Sequence, residues 1–112
     1  MEEGSVVRVS LIESDNKTRS RPALLLKKVP PHNDWLLCVI SGKLHNEVKG
    51  LDVIIDKQHP DFPLTHLKYP ALIRIGFLFT YPEELIEGKI GEITKDTVMQ
   101  IRKNLISFLS AG

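Results

Sequence analysis

Hydrophobic and polar positions change their period once along the chain, and that change predicts the architecture. Over Ser5–Ile12, Val7, Val9 and Leu11 alternate with Arg8 and Ser10, the two-residue period of a strand buried on one face. Residues 13–20, ESDNKTRS, carry no apolar side chain and predict a loop. A second strand is expected over 21–28, RPALLLKK, with Pro22 at a strand start or edge because it has no amide N–H to give to a ladder. Pro30 and Pro31 make 29–34 a second loop, and WLLCVIS at 35–41 is a near-continuous apolar run expected to be the most buried strand. After a polar connection, LDVIID at 51–56 alternates again, with Leu51, Val53 and Ile55 on one side and Asp52, Ile54 and Asp56 on the other. The prolines of 57–70 predict mostly loop, and ALIRI (71–75) and FLFTYP (77–82) read as two strands around Gly76. From Thr94 the period becomes helical. Val98, Ile101, Leu105, Phe108 and Leu109 share a face, Thr94 or Asp96 can cap it, and Arg102 and Lys103 fall on the outer face. Strands in succession, then one helix, predict a mainly antiparallel sheet bent into a small barrel that removes its edges, with the helix across one end or face.

Composition narrows the class of protein. A chain of 112 residues has room for one domain, 1–112, around one core. Hydrophobic residues at 42% and charged residues at 26% are ordinary globular usage and argue against disorder. Fifteen Lys and Arg against 14 Asp and Glu leave a net charge of +1, so a polyanionic partner would have to be met by a local patch. The single cysteine, Cys38, excludes an internal disulfide framework and reads as a small buried hydrophobe in its apolar strand. No apolar run approaches the ~18 residues of a membrane span. The acidic start, MEEGSVVRVS, lacks the basic region of a signal peptide, and the expectation is a soluble cytoplasmic protein with no membrane partner.

Four segments in order carry a family resemblance: GSVVRVSL followed by a polar loop and RPALLLKK; a strand closing on Ile40-Ser41; LKYPALIRIGFLFT at 67–80; and IEGKIGEITKDTVMQIRKNL at 86–105. Together they resemble the PemK/MazF family of toxin endoribonucleases from Gly4 to about Leu109. The resemblance implies a small SH3-like antiparallel barrel with a C-terminal helix. It also implies a homodimer, cleavage of single-stranded RNA, no cofactor, and a cognate antitoxin protein as partner. The dimer interface is expected on one barrel face with part of the helix, where Met99 and Ile106 widen the apolar stripe.

Metal-free RNA cleavage uses the 2′-hydroxyl of RNA as nucleophile, so the protein must help remove a proton, stabilise charge on the phosphorane and help protonate the leaving 5′-oxygen. Carried over residue by residue, the resemblance implies Arg21 and Ser41 as catalytic residues. Arg21 offers a charged planar fork to phosphate and Ser41 a hydroxyl to the developing oxyanion. With a solution pKa above ~12, arginine suits electrostatic stabilisation better than proton transfer. Without the resemblance, Arg21 reads as an exposed strand-edge arginine and Ser41 as a strand-end serine bonding its own turn. Ser41 stands where the family more often has Thr, and it lacks the β-methyl that restricts the rotamer. Lys17, Arg19 and Lys43 are candidate phosphate contacts, against the reading of a solvated loop diluted by Glu13 and Asp15. The Gly-Ser-Glu-Gln type of loop sequence is absent, so no acidic catalytic assistant is carried over.

The histidines, His32, His45, His59 and His66, have no ligand spacing, and no metal site is expected. His45 reads as a loop histidine, though it follows Ser41 closely enough to be a candidate base. Trp35 either packs in the core or stacks a base. The alternative function is a catalytically weak or inactive barrel of the same kind that binds RNA or a partner peptide.

Overall fold

The computed structural model describes residues 1–111. Six strands, β1 (Ser5–Ile12), β2 (Thr18–Val29), β3 (Asp34–Ser41), β4 (Val53–Ile55), β5 (Ala71–Pro82) and β6 (Gly88–Glu92), form one sheet in the order β4-β5-β3-β2-β1-β6. Every neighbouring pair is antiparallel. The α-helices among the described residues are the short α1 (Phe62–Thr65) and the C-terminal α2 (Lys95–Ser110). The sheet curls into a half-barrel. Its ends, β4 and β6, do not join, so the edges expected to vanish by closure remain. They are short instead: β4 has three residues and β6 five, which limits the unpaired backbone each presents.

The curl explains why β1 is buried more fully than its alternation predicts. Val7, Val9, Ala23, Leu25, Trp35 and Leu37 form one cluster, while Val6, Leu24, Leu26, Cys38 and Ile40 face another that includes Val98 and Ile101 of α2. Successive residues of β1 and β2 therefore point into two different cores. Ala23–Leu26 is buried throughout, and β3 is not the most buried strand, since Leu36 and Val39 are only half-buried. Trp35 lies in the core. Its indole N–H donates to Glu83 Oε1 at 2.9 Å, and Lys28 lies 4.9 Å from its ring centroid. The Trp35 and Lys28 hydrogen bonds hold the Glu83 carboxyl below the usual glutamate range.

Several boundaries differ from the local pattern. The polar segment before Arg21 is partly strand: Thr18, Arg19 and Ser20 pair with Ile12, Leu11 and Ser10. The loop is a tight turn, with the Glu13 N–H donating to the Lys17 carbonyl at 2.9 Å and Asn16 left-handed at φ +64°. Backbone pairing wins there although both faces are polar. The segment 51–56 keeps only Val53–Ile55 as strand. Asp52 is buried, its Oδ1 accepting the Ile75 amide at 3.0 Å and its Oδ2 the Val48 amide at 2.9 Å.

Residues 71–82 are one strand, but Cys38 pairs with Leu78 while Val39 pairs with Arg74. Ile75, Gly76 and Phe77 thus bulge out of the β3 ladder, and Asp52 satisfies the amide the bulge frees. The 57–70 segment contains α1, with Pro63 in its first turn, where a missing amide costs nothing.

Thr94 caps α2, its hydroxyl accepting the Thr97 amide. Val98 and Ile101 are buried and Leu105 packs partly on the core, but Phe108 and Leu109, at 53% and 70% exposure, lie beyond it. Arg102 is not on the outer face: it pairs with Glu3 and donates to the Leu26 carbonyl at 3.3 Å.

Candidate functional site

Strand divergence creates the site. β2 and β3 pair only between Ala23↔Val39 and Val29↔Asp34. Past Ala23, the Thr18–Pro22 end of β2 stays with β1, while Ile40 and Ser41 stay with Ile73 and Leu72 of β5. Pro22 therefore sits where β2 has become an edge on its β3 side, which suits a residue without an amide donor. A groove of about 750 Å³ opens there, lined by Arg21 and Pro22 of β2, Ser41 at the end of β3, and Lys43 just after it.

Arg21 is half exposed, and its guanidinium is gripped by Glu13. Nε donates to Glu13 Oε1 at 2.8 Å and Nη2 donates to the same oxygen at 2.5 Å. Oε2 of Glu13 has no protein hydrogen bond among the described residues. Ser41 Oγ accepts the Lys43 amide at 3.1 Å, which orients the hydroxyl and leaves its proton available to donate.

The groove concentrates charge that the chain as a whole lacks. Arg8, Arg21, Lys43, Lys68 and Arg74 line it against one carboxylate, Glu13. The net charge of the chain is only +1, so the remaining surface is acidic on balance. A concave cationic surface of this kind focuses its field on an anionic ligand.

Of the five residues singled out in the sequence, Arg21, Ser41 and Lys43 come together in the groove. Lys17 and Arg19 do not line it. Arg19 forks onto Asp15 at 3.1 and 2.8 Å, and the Lys17 amide donates to Asp15 Oδ1 at 3.0 Å. Arg19 and then the Lys17 amide hold the Asp15 carboxyl below the usual range, so much of this turn's polarity is satisfied within itself.

His45 does not line the groove, whereas His66 does. Among the described residues no three His, Cys, Asp or Glu side chains converge as a metal site would require. Cys38 is buried, and burial first, with the Asp52 charge second, pushes its thiol up to about 12. That suits a packing residue and not a nucleophile.

Sequence reasoning missed Glu13, Arg8, Lys68 and Arg74 as members of the site. Arg74 left a signal, as the one charge within the apolar run ALIRI. Glu13 left none, since its role depends on the hairpin folding it back onto Arg21.

A half-barrel sheet of this topology with one C-terminal helix is the fold of the MazF toxins. No family model and no curated protein matches the sequence itself. Among solved structures, the chain superposes on Mycobacterium tuberculosis toxin MazF-mt6 with a TM-score of 0.71 at 14% identity, over 96% of this chain and 98% of that one. An endoribonuclease in complex with its cognate antitoxin, from a mycobacterial species, gives 0.70 at 14% identity over 100% and 97%. A chain of the Deinococcus radiodurans MazE–MazF complex gives 0.67 at 13% identity over 100% and 97%.

Proposed function

We propose that this protein is the toxin of a toxin–antitoxin pair, a metal-independent endoribonuclease that cleaves single-stranded RNA in the cytoplasm as a homodimer and is restrained by an antitoxin protein. The observation that carries this reading is the meeting of Arg21, Ser41 and Glu13 in a cationic groove on a MazF fold. In the reaction the 2′-oxygen gives up its proton and attacks the adjacent phosphorus, the bond to the 5′-oxygen breaks, the leaving 5′-oxygen takes a proton from solvent water, and a 2′,3′-cyclic phosphate and a 5′-hydroxyl result. Arg21 supplies fixed positive charge to the non-bridging oxygens as the phosphorane forms. Ser41 donates its hydroxyl proton as a hydrogen bond to the same developing charge. Glu13 orients the guanidinium through Oε1, and its unpartnered Oε2 has capacity to accept the 2′-hydroxyl proton.

The Glu13–Arg21 pair also favours the second reading, a binding module, because phosphate must compete with Glu13 for the fork. Induced expression in a bacterial host separates the two. A toxin arrests growth and leaves total RNA cut, with fragments ending in 2′,3′-cyclic or 3′-phosphate and beginning with 5′-hydroxyl. Intact RNA and normal growth, with purified protein that still binds single-stranded RNA, would establish the binding module instead.

A further inference from the structure

Two aromatic side chains in the groove serve neither core and enter none of the steps above. Tyr69 is 75% exposed and Phe77 is 47% exposed, and both line the groove that holds Arg21. Large exposed aromatics lose apolar burial for no structural gain, so their clustering in one concave cationic surface calls for a ligand.

Phe77 is out of the core because of the bulge. With residues 75–77 unpaired to β3, its ring is displaced from the ladder while its neighbours Phe79 and Tyr81 stay packed on the second core. It remains fixed nonetheless. Phe79 meets it edge-on, with centroids 6.4 Å apart and planes at 81°, and Phe79 in turn meets Tyr81 at 6.2 Å and 88°. The Arg74 guanidinium lies 5.5 Å from the Phe77 centroid. A buttressed ring with a guanidinium beside it is a flat, preorganised, positively biased surface.

Resting on the ribonuclease reading of this groove, we propose that Tyr69 and the Phe77–Arg74 pair are base-stacking platforms that hold unpaired bases of a single RNA strand whose phosphate is held at Arg21. Each unstacked base has an apolar face that needs covering and a phosphate that needs a cation. Tyr69, Phe77 and Arg74 supply the first, and Lys43, Lys68 and Arg8 supply the second. A duplex keeps its bases stacked on one another and offers no free faces to these rings, so the platforms select single strands.

The test measures fluorescence anisotropy of a labelled, mixed-sequence single-stranded RNA with 2′-O-methyl sugars, which cannot be cleaved by 2′-hydroxyl attack. Tyr69→Ala and Phe77→Ala should each weaken binding about tenfold, with the slope of affinity against salt unchanged because no charge is lost. Lys43→Ala should instead lower that slope by about 0.7. Tyr69→Phe and Phe77→Tyr keep the ring and should bind as the unaltered protein does. Phe77→Leu, which removes the ring but keeps apolar bulk, holds the test open if Phe77→Ala proves unfolded by circular dichroism. Unaltered affinity in Tyr69→Ala and in a folded Phe77 variant without a ring, Phe77→Ala or Phe77→Leu, would overturn the proposal. If cleavage still required Arg21, the ribonuclease reading would survive that result. If the unaltered protein neither bound nor cut single-stranded RNA, both would fall together.

Discussion

At the scale of single residues, the groove makes unequal demands on its members. Arg21 carries a full charge and a planar fork, whereas Ser41 offers one neutral hydroxyl. Arg21→Ala should lower the rate of RNA cleavage about 10²–10³-fold, as loss of a preorganised oxyanion donor does. Ser41→Ala should lower it less. Arg21→Lys keeps the charge but cannot form a fork with both Glu13 and phosphate, and an undiminished rate in that variant would reduce Arg21 to a general electrostatic contributor. Arg21 is half exposed, so its variants should melt within about 0.5 kcal/mol of the parent. Cys38 gives a residue-scale prediction about the core. With its thiol buried and pushed up to about 12, it should resist alkylation at pH 8 in the native state and react only as the protein unfolds. Rapid labelling of folded protein would contradict the packing of β3.

At the scale of elements, the start of α2 depends on a residue far from it in sequence. Asp61, nearly fully buried, accepts the Thr94 amide at 2.9 Å and the Thr94 hydroxyl at 2.9 and 3.2 Å. Burial pushes its carboxyl up, but hydrogen bonds from the Thr97 side chain and from the Thr94 amide and side chain outweigh that, and the group sits below the usual aspartate range. The folded pKa lies under the unfolded one, so this stabilisation is present above the unfolded value, near pH 4, and is lost as pH falls through the folded value. Asp61→Ala should cost about 3 kcal/mol near neutrality by leaving the cap's donors without an acceptor. Asp61→Asn should flatten the loss of stability below pH 4, measured by urea unfolding across pH.

Gly91 is a second control point. A Cβ there would stand 2.5 Å from the Leu64 carbonyl oxygen and closer still to that of Thr65, so β6 and α1 pack backbone against backbone. Gly91→Ala should cost about 2–3 kcal/mol and lower Tm by roughly 10 °C in a calorimetric scan. An unchanged melting temperature would mean that α1 yields freely.

At the scale of the molecule, the last turns of α2 stand clear of the core. Ile106, Phe108 and Leu109 there are all exposed, as is Met99 nearer the start of the helix, apolar surface that a lone chain leaves wet. A homodimer that covers this end of α2 is the expected state, and light scattering at micromolar concentration should return twice the 12.7 kDa chain mass. Ile106→Glu with Leu109→Glu should return the monomer. Cleavage should be indifferent to EDTA, since the proposed chemistry runs through Arg21, Glu13 and the 2′-hydroxyl. Abolition by EDTA with rescue by magnesium would overturn that mechanism.

Short-range pattern along the chain settled only local features. The alternation Val7-Val9-Leu11, the apolar run at Trp35–Ile40 and the helical spacing from Val98 depend only on how a backbone directs successive side chains, and these elements formed where the pattern placed them. Arg21 beside Pro22, and Ser41 at a strand end, were visible for the same reason. The tertiary structure alone decided which strands adjoin. The neighbours β1–β6 and β3–β5 are far apart in the chain, and no local period encodes their pairing. From that pairing follow the parting of β2 and β3 and the gathering of Lys68 and Arg74 around Arg21, while the β1–β2 hairpin folds Glu13 onto the guanidinium. Asp52 shows the limit most plainly. Alternation put it on the side opposite Leu51, Val53 and Ile55, yet the unpaired Ile75 amide of the β5 bulge needed an acceptor in the interior, and the buried carboxylate meets that amide with one oxygen and the Val48 amide with the other, so donors and acceptor are satisfied together.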